Sequence, residues 1–444
     1  MKRRSSLLSF LFYSVVFFFF MMGVLVFFYY FGTQTANFWL SSLLMIFLSI
    51  LFFRMLFLFF FSLIERWQYH PDVLEEKNII IPEDQVMVSF LIPCFNEEKV
   101  IEQALNSIDG LYYKNIEIIV IDDGSIDQTS EKASQVHLKN KVQILRQKNQ
   151  GKAQALNHGL SVAQGQYVFC MDADTLIQPK TLDIALKILH TDPTLAAIAG
   201  NVKVGNDDQM LTLLQRLEYL MGLNFPKLAQ SFFGAVQIIP GPAGLFRKNL
   251  LLQVGGYRSH TFAEDYDLTL RLLMHGYHVR FCPEMVVITE APDDIRSLVS
   301  QRYRWFRGVF QALRQFIPQL MTRRLPRRAR RILYYTFFEN YFIPLGNLFL
   351  ILLSLIQAWN QDHVFIASLF SGFSLIDLLL IAYCVYEEKD ALRLLGLSFL
   401  YRSTYGLFME ILRFLCWLDE FFNVPMSWGS LNRKGLKKKE DEVG

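Results

Sequence analysis

The chain has 444 residues, enough for one large domain or two ordinary ones, and 52% of them are hydrophobic, with 41 Phe. That composition is too apolar for an ordinary soluble enzyme. The formal net charge of +3 is small and says little by itself.

The apolar excess is concentrated in blocks. Residues 7–31 carry no charge and residues 38–64 carry only Arg54. Both exceed the roughly 20 residues that cross a bilayer as helix. The apolar core is too long for a cleaved signal peptide, and no small-residue cleavage site follows it, so these read as retained spans. Two further candidates lie at about 335–357 and 364–385. Residues 393–418 are interrupted by Arg402, Glu410 and Arg413, which favours an interfacial amphipathic helix over a fifth span. Lys2, Arg3 and Arg4 precede the first span, whereas the 33–37 and 358–363 loops have no Lys or Arg. Arg323, Arg324, Arg327, Arg328, Arg330 and Arg331, and the tail Lys437, Lys438 and Lys439, lie on the other side. By the positive-inside rule both termini and the middle segment are then cytoplasmic. The arginine run abuts a span, so anionic lipid is a nearer partner than nucleic acid, and no nucleic-acid partner is expected. The Cys residues at 94, 170, 282, 384 and 416 have no C-x-x-C spacing, which suggests neither a disulfide framework nor zinc. The chain thus divides into a membrane region (1–84), a cytoplasmic domain (85–320), and a second membrane region with a basic tail (321–444).

Residues 85–320 are a different kind of sequence. MVSFLIPCFN is a β-rich run, EEKVIEQALNSI has helical spacing, and IEIIVIDDGS is an apolar run closing on Asp122 and Asp123. A polar helix, the strand VQILRQ and the turn NQGKAQALNHG follow, and then YVFCMDADT, which ends in Asp172 and Asp174. Continuous apolar strands alternating with helices predict a doubly wound, mostly parallel α/β sheet. Ligands bind such sheets beyond the C-terminal ends of the strands. Those ends carry Asn96 with Glu97, Asp122 with Asp123, and Asp172 with Asp174.

The residue types suggest a chemistry. Carboxylates at a strand end accept hydrogen bonds from a base N–H or from ribose hydroxyls. Lys152, beside Gly151, offers a point charge to phosphate. In an extended chain Asp172 and Asp174 would point the same way, and two such acids suit a hard divalent cation. There is neither G-x-x-x-x-G-K-[ST] nor G-x-G-x-x-G after the first strand. A nucleoside diphosphate held through a metal, with the diphosphate leaving, fits best.

IPCFNEE, IDDGSIDQT, NQGKAQALNHGL, MDADT, AEDYDLTLRL and QRYRW occur in that order. On these motifs, over about half its length, the chain resembles the membrane-embedded processive branch of the family 2 glycosyltransferases with the GT-A fold. In layout it looks most like bacterial poly-β-1,6-N-acetylglucosamine synthases. The resemblance implies a GT-A domain flanked by transmembrane helices, in the cell membrane. It implies an inverting, metal-dependent transferase that lengthens a β-linked polysaccharide from a UDP-sugar, UDP-N-acetylglucosamine first among them, and exports it. The growing polysaccharide, the bilayer and an accessory membrane subunit are its expected partners. Pro93, Asn96, Glu97, Asp122 and Asp123 are then expected to line the uridine pocket, and Lys152 to face the phosphates. Asp172 and Asp174 would hold Mg²⁺ or Mn²⁺. Asp265, the last place of the family's T-E-D, written here Ala263-Glu264-Asp265, would be the general base. Gln301, Arg304 and Trp305 match Q-x-x-R-W, with Trp305 under the acceptor sugar and Arg304 near the leaving diphosphate. PGPAGLFRK (240–248) corresponds to a loop near the acceptor. Other readings stay open: Asp265 as a helix N-cap, a chitin, hyaluronan or glucan synthase, or a transferase adding one sugar to a lipid.

Overall fold

The computed structural model describes residues 38–69, 81, 85–206, 209–321, 325–359, 363–425 and 435. The expected span at 7–31, the N-terminal Lys-Arg-Arg, Arg323, Arg324 and the Lys437–Lys439 tail lie outside them.

The apolar run after residue 37 is a single helix, α1 (Phe38–Gln68). The α/β region then follows, alternating strictly from β1 to β4 and less regularly after it. β1 (Val88–Cys94), α2 (Ile101–Asp109), β2 (Ile116–Asp122), α3 (Thr129–Gln135), β3 (Val142–Arg146), α4 (Lys152–Val162) and β4 (Tyr167–Cys170) come first. β5 (Thr175–Ile177), α5 (Thr181–Thr191), β6 (Leu195–Val204), α6 (Met210–Glu218), α7 (Phe225–Phe232) and β7 (Gly244–Arg247) come next. α8 (Lys248–Gln253), α9 (Glu264–Met274), β8 (His278–Thr289) and α10 (Ile295–Arg314) complete the region.

The eight strands form one sheet in the order β3-β2-β1-β4-β7-β6-β8-β5. β3, β2, β1 and β4 run parallel to one another, and β7 runs antiparallel between β4 and β6. β1 and β2 are in register through Pro93↔Ile121 and Cys94↔Asp122, so their exits lie level. All seven residues of β1 are buried, as expected of a strand covered by helices on both faces. One core packs Phe90, Ile92 and Phe169 against α2 and α5. On the opposite face Leu91, Ile119 and Val168 meet α4, α8, α9 and α10. The sheet is thus the doubly wound, mostly parallel one that the alternation predicts.

After the short α11 (Ile317–Met321), α12 (Arg327–Phe337) passes through a π-helical turn, Phe338–Phe342, into α13 (Ile343–Trp359). α14 spans His363–Glu387. Ser42–Gln68, Arg327–Ile356 and Phe370–Glu387 are each long and apolar enough to cross a membrane. A 3₁₀ turn (Leu392–Leu397) and a π turn (Tyr401–Gly406) lead into α15 (Leu407–Phe421). α15 does not reach that length and hydropathy. It buries Met409, Leu412 and Cys416 against Leu298 and Phe310 of α10, so it lies along that helix.

Candidate active site

The exits of β1, β2 and β4 are bound to one another by their own loops. Asn96 adopts φ 57°, a left-handed conformation that asparagine tolerates better than most residues. Its Oδ1 accepts from Ile126 N at 3.0 Å, and its N–H donates to Ser125 Oγ at 3.0 Å. Glu97 N–H donates to Thr129 Oγ1 at 2.8 Å. Pro93 is buried within β1 and paired with Ile121, so it is part of the sheet.

Asp122 and Asp123 do different work. Asp122 accepts from Ser125 N at 2.8 Å and from the Ser130 hydroxyl. Burial raises its pKa, but those hydrogen bonds outweigh it and the net shift is downward, so Asp122 is ionised. It lines a cleft of about 360 Å³ with Ser125, Ser130, Glu131, Arg146 and Gln147. Asp123 instead binds the next loop, accepting from Gln147 Nε2 at 2.7 Å, Gln150 N at 2.9 Å and Gly151 N at 2.8 Å. Gly124 makes this possible. It sits at φ 83°, and a Cβ there would lie 2.9 Å from Asn149 N.

Gly151 is the N-cap of α4, so Asp123 anchors the point at which Lys152 begins the helix. Lys152 Nζ lies 2.5 Å from Asp172 Oδ1 and 3.7 Å from Glu264 Oε1. Burial disfavours the ammonium, yet Asp172 and Glu264 more than offset it and hold its pKa above the ordinary value. A cation at a helix N-terminus opposes the helix dipole. Its carboxylate partners explain why it is tolerated.

Asp172 and Asp174 do not extend β4. The strand ends at Cys170 and the chain turns at Ala173–Asp174, so the alternating geometry assumed for an extended pair does not hold. Asp172 faces Lys152, whereas Asp174 is buried and accepts from Thr175 Oγ1 at 3.3 Å. Among the described residues no group of three or more His, Cys, Asp or Glu side chains could hold a metal unaided. Mg²⁺ or Mn²⁺ needs only one or two carboxylates when a diphosphate supplies other oxygens. The all-oxygen donors Asp172 and Asp174 fit that requirement.

Glu264 and Asp265 are the first two residues of α9, whose N-cap is Ala263, so Asp265 is not the cap. Asp265 Oδ1 accepts from Tyr266 N at 2.7 Å, and Oδ2 accepts from Gly241 N at 3.1 Å. The protein packed around Asp265 and the neighbouring Glu264 push its pKa up to about 6, although Lys152 pulls the other way. Gly241 belongs to the PGPAG loop. A Cβ there would lie 2.8 Å from Lys152 Nζ, 3.7 Å from Asp265 Oδ2 and 3.8 Å from Asp172 Oδ2. Lys152, Asp172 and Asp265 therefore meet around one glycine, with Glu264 reached through the Lys152 ammonium at 3.7 Å.

α10 carries Gln301, Arg304 and Trp305. Gln301 is buried and its Oε1 accepts from Arg302 Nη1. Arg304 and Trp305 are half-buried. Trp305 faces Tyr219 with ring centroids 6.4 Å apart. Sequence reasoning missed Arg302, Glu218, Arg146 and the close approach of Gly241. Arg302 carried no signal, being one charge among several on an amphipathic helix. The Gly-Pro pattern of the 240–248 loop was visible, but not its contact with Lys152.

The family description "Glycosyl transferase family 2" matches residues 89–255. A poly-β-1,6-N-acetyl-D-glucosamine synthase of Staphylococcus epidermidis is 30% identical over 328 residues, which cover 70% of this chain and 78% of that protein. The chain belongs to glycosyltransferase family 2. Staphylococcus aureus proteins of the same name are 32% identical to this family 2 glycosyltransferase over 255 residues, 57% of its chain, and it spans 62% of their length. Among solved structures, a mannosyltransferase of Pyrobaculum calidifontis in complex with GDP-Man and Mn²⁺ superposes with a TM-score of 0.57. It is 21% identical, and the match covers 83% of this chain and 96% of that one, a likeness of fold.

Proposed function

We propose that this family 2 glycosyltransferase is processive and inverting. It takes a UDP-sugar, UDP-N-acetylglucosamine, and lengthens a β-linked polysaccharide at the cytoplasmic face of the cell membrane, passing it outward. The observation that carries this reading is the meeting of Asp265, Glu264, Lys152 and Asp172 beyond the parallel strand ends. The resemblance to synthases of poly-β-1,6-N-acetyl-D-glucosamine supports the choice of sugar, and three apolar helices among the described residues support the membrane setting.

In this reading Asp265, with its raised pKa, accepts the proton of the acceptor hydroxyl as that oxygen forms its bond to the anomeric carbon. The bond from the anomeric carbon to the diphosphate oxygen breaks in the same displacement, and its electron pair leaves with UDP. One displacement inverts an α-linked donor to a β-linkage. Lys152 holds positive charge where the diphosphate sits, and Asp122 with its cleft receives the nucleoside. Asp123 and Gly151 hold the loop that presents Lys152. Asp172 and Asp174 would hold Mg²⁺ or Mn²⁺, which supplies charge neutralisation to the leaving group when bound. Trp305 offers a flat face to the acceptor sugar, and Arg304 reaches toward the diphosphate.

The test is a pulse of labelled UDP-N-acetylglucosamine to membranes carrying the protein, chased with unlabelled donor and sized by gel. Long labelled chains that appear early, and are lost in Trp305→Ala, support processive synthesis. One sugar added to a lipid, unaffected by Trp305→Ala, overturns it in favour of a lipid-directed transferase.

A further inference from the structure

Beside Trp305 lies a buried charge that the proposed chemistry does not use. Arg302 has a fully buried side chain, and every nitrogen of its fork is engaged. Nε donates to Glu218 Oε1 at 3.0 Å and Oε2 at 3.2 Å, Nη2 donates to Glu218 Oε2 at 2.6 Å, and Nη1 donates to Gln301. Its guanidinium carbon lies 4.2 Å from the centre of the Trp305 ring and 5.7 Å from that of Tyr219. Glu218 also accepts from the Tyr405 hydroxyl at 2.6 Å.

Burying a guanidinium is a costly way to fill space, and it is tolerated only where every donor is met. What it supplies is geometry. A planar cation locked at both ends, set against an indole face, restricts the ring to one orientation. The anchors come from separate elements. Glu218 ends α6 at the π turn Tyr219–Asn224, and Tyr405 lies in the π turn Tyr401–Gly406. Single π turns inside helices displace side chains from regular helical positions and recur at functional sites. Here one turn places Tyr219 against Trp305 and the other brings Tyr405 to Glu218.

We propose that Arg302 is a positioning residue: clamped between Gln301 and Glu218, which Tyr405 holds in turn, it fixes the plane of the Trp305 ring and so the seat of the acceptor sugar. The proposal rests on the reading of Trp305 as the acceptor platform.

The full-length protein would be labelled with 5-fluorotryptophan, with the Trp305 resonance assigned by its loss in Trp305→Phe. Arg302→Lys keeps the charge but loses the planar fork, and Glu218→Gln keeps the shape but weakens the clamp. Both should shift or split the Trp305 resonance and leave those of the other tryptophans in place. Both should raise KM for an added β-1,6-linked N-acetylglucosamine oligosaccharide on the order of tenfold, equivalent to about 1.4 kcal/mol of lost acceptor binding. KM for UDP-N-acetylglucosamine should stay within about twofold, since donor binding is not touched. If Trp305→Ala raises the oligosaccharide KM while both clamp variants keep the wild-type resonance and KM, the inference is overturned. If the clamp variants move the resonance but Trp305→Ala leaves the oligosaccharide KM unchanged, the acceptor reading falls, and the catalytic part of this inference with it. Should Arg302→Lys lose fluorine dispersion through misfolding, Glu218→Gln and Tyr405→Phe, which leave the guanidinium in place, decide the question.

Discussion

Gly308 on α10 lies directly against Ala263, the residue before Glu264 and Asp265. A Cβ at 308 would fall 2.6 Å from Ala263 N and 2.7 Å from Ala263 Cβ. Thr261 Oγ1 donates to Gly308 O at 2.9 Å, and Phe262 N–H donates to Gln311 Oε1 at 3.2 Å. The helix bearing Trp305 is thus seated on the start of the helix bearing Asp265, and the absence of a side chain at 308 lets the two approach so closely. Ala263 is the small partner in that contact.

Gly308→Val should therefore lower both stability and turnover. The new side chain meets backbone, which cannot rotate aside, and overpacking of this kind costs about 1–3 kcal/mol. Thermal unfolding of the purified protein, followed by tryptophan fluorescence, should shift down, with product formation reduced. Wild-type values for both would show that the helices are free to separate.

The proposed base predicts a pH profile. Asp265 must be deprotonated to accept a proton, so kcat/KM should rise with pH through about 6, where its pKa lies. Lys152 favours the carboxylate, so Lys152→Met should move this acid limb to higher pH. Glu264 disfavours it, so Glu264→Gln should move the limb to lower pH. Limbs that stay fixed in both variants would separate Asp265 from the titration.

Asp265→Asn keeps the shape of the side chain but cannot take the proton. Turnover should fall by about 10² or more, the usual scale for loss of a general base. UDP binding, measured by calorimetry, should stay near the wild-type value. A near-normal rate would remove Asp265 from the chemistry.

Asp172 and Asp174 can be tested through the metal. Wild-type activity should vanish in chelator and return with Mg²⁺ or Mn²⁺, while Asp174→Ala should stay inactive at any metal concentration. Asp172→Asn also removes the partner of Lys152, so it should weaken UDP binding as well as turnover. Full wild-type activity in chelator would exclude a metal role for both.

Sequence alone determined the elements and the strand ends that carry polar groups, because hydrophobic periodicity is local and each strand's exit is written beside it. YVFC closing on two acids, and DDGS closing β2, needed no tertiary information. What the acids do was decided by contacts distant in sequence. Asp172 reaches Lys152, Lys152 reaches Glu264, and Gly241 fits among them, yet these residues lie on separate loops of one sheet edge. The same holds for the difference between Asp122, which faces a cleft, and its neighbour Asp123, which ties down the loop before α4. Adjacent residues at a strand end point to opposite sides, and only the packing of the next loop shows which side holds ligand. Arg302 is the extreme case. A charged residue on an amphipathic helix reads as solvated until Glu218 and Tyr405 arrive from elsewhere in the chain to bury it, because desolvation is a property of the assembled fold and of no single segment.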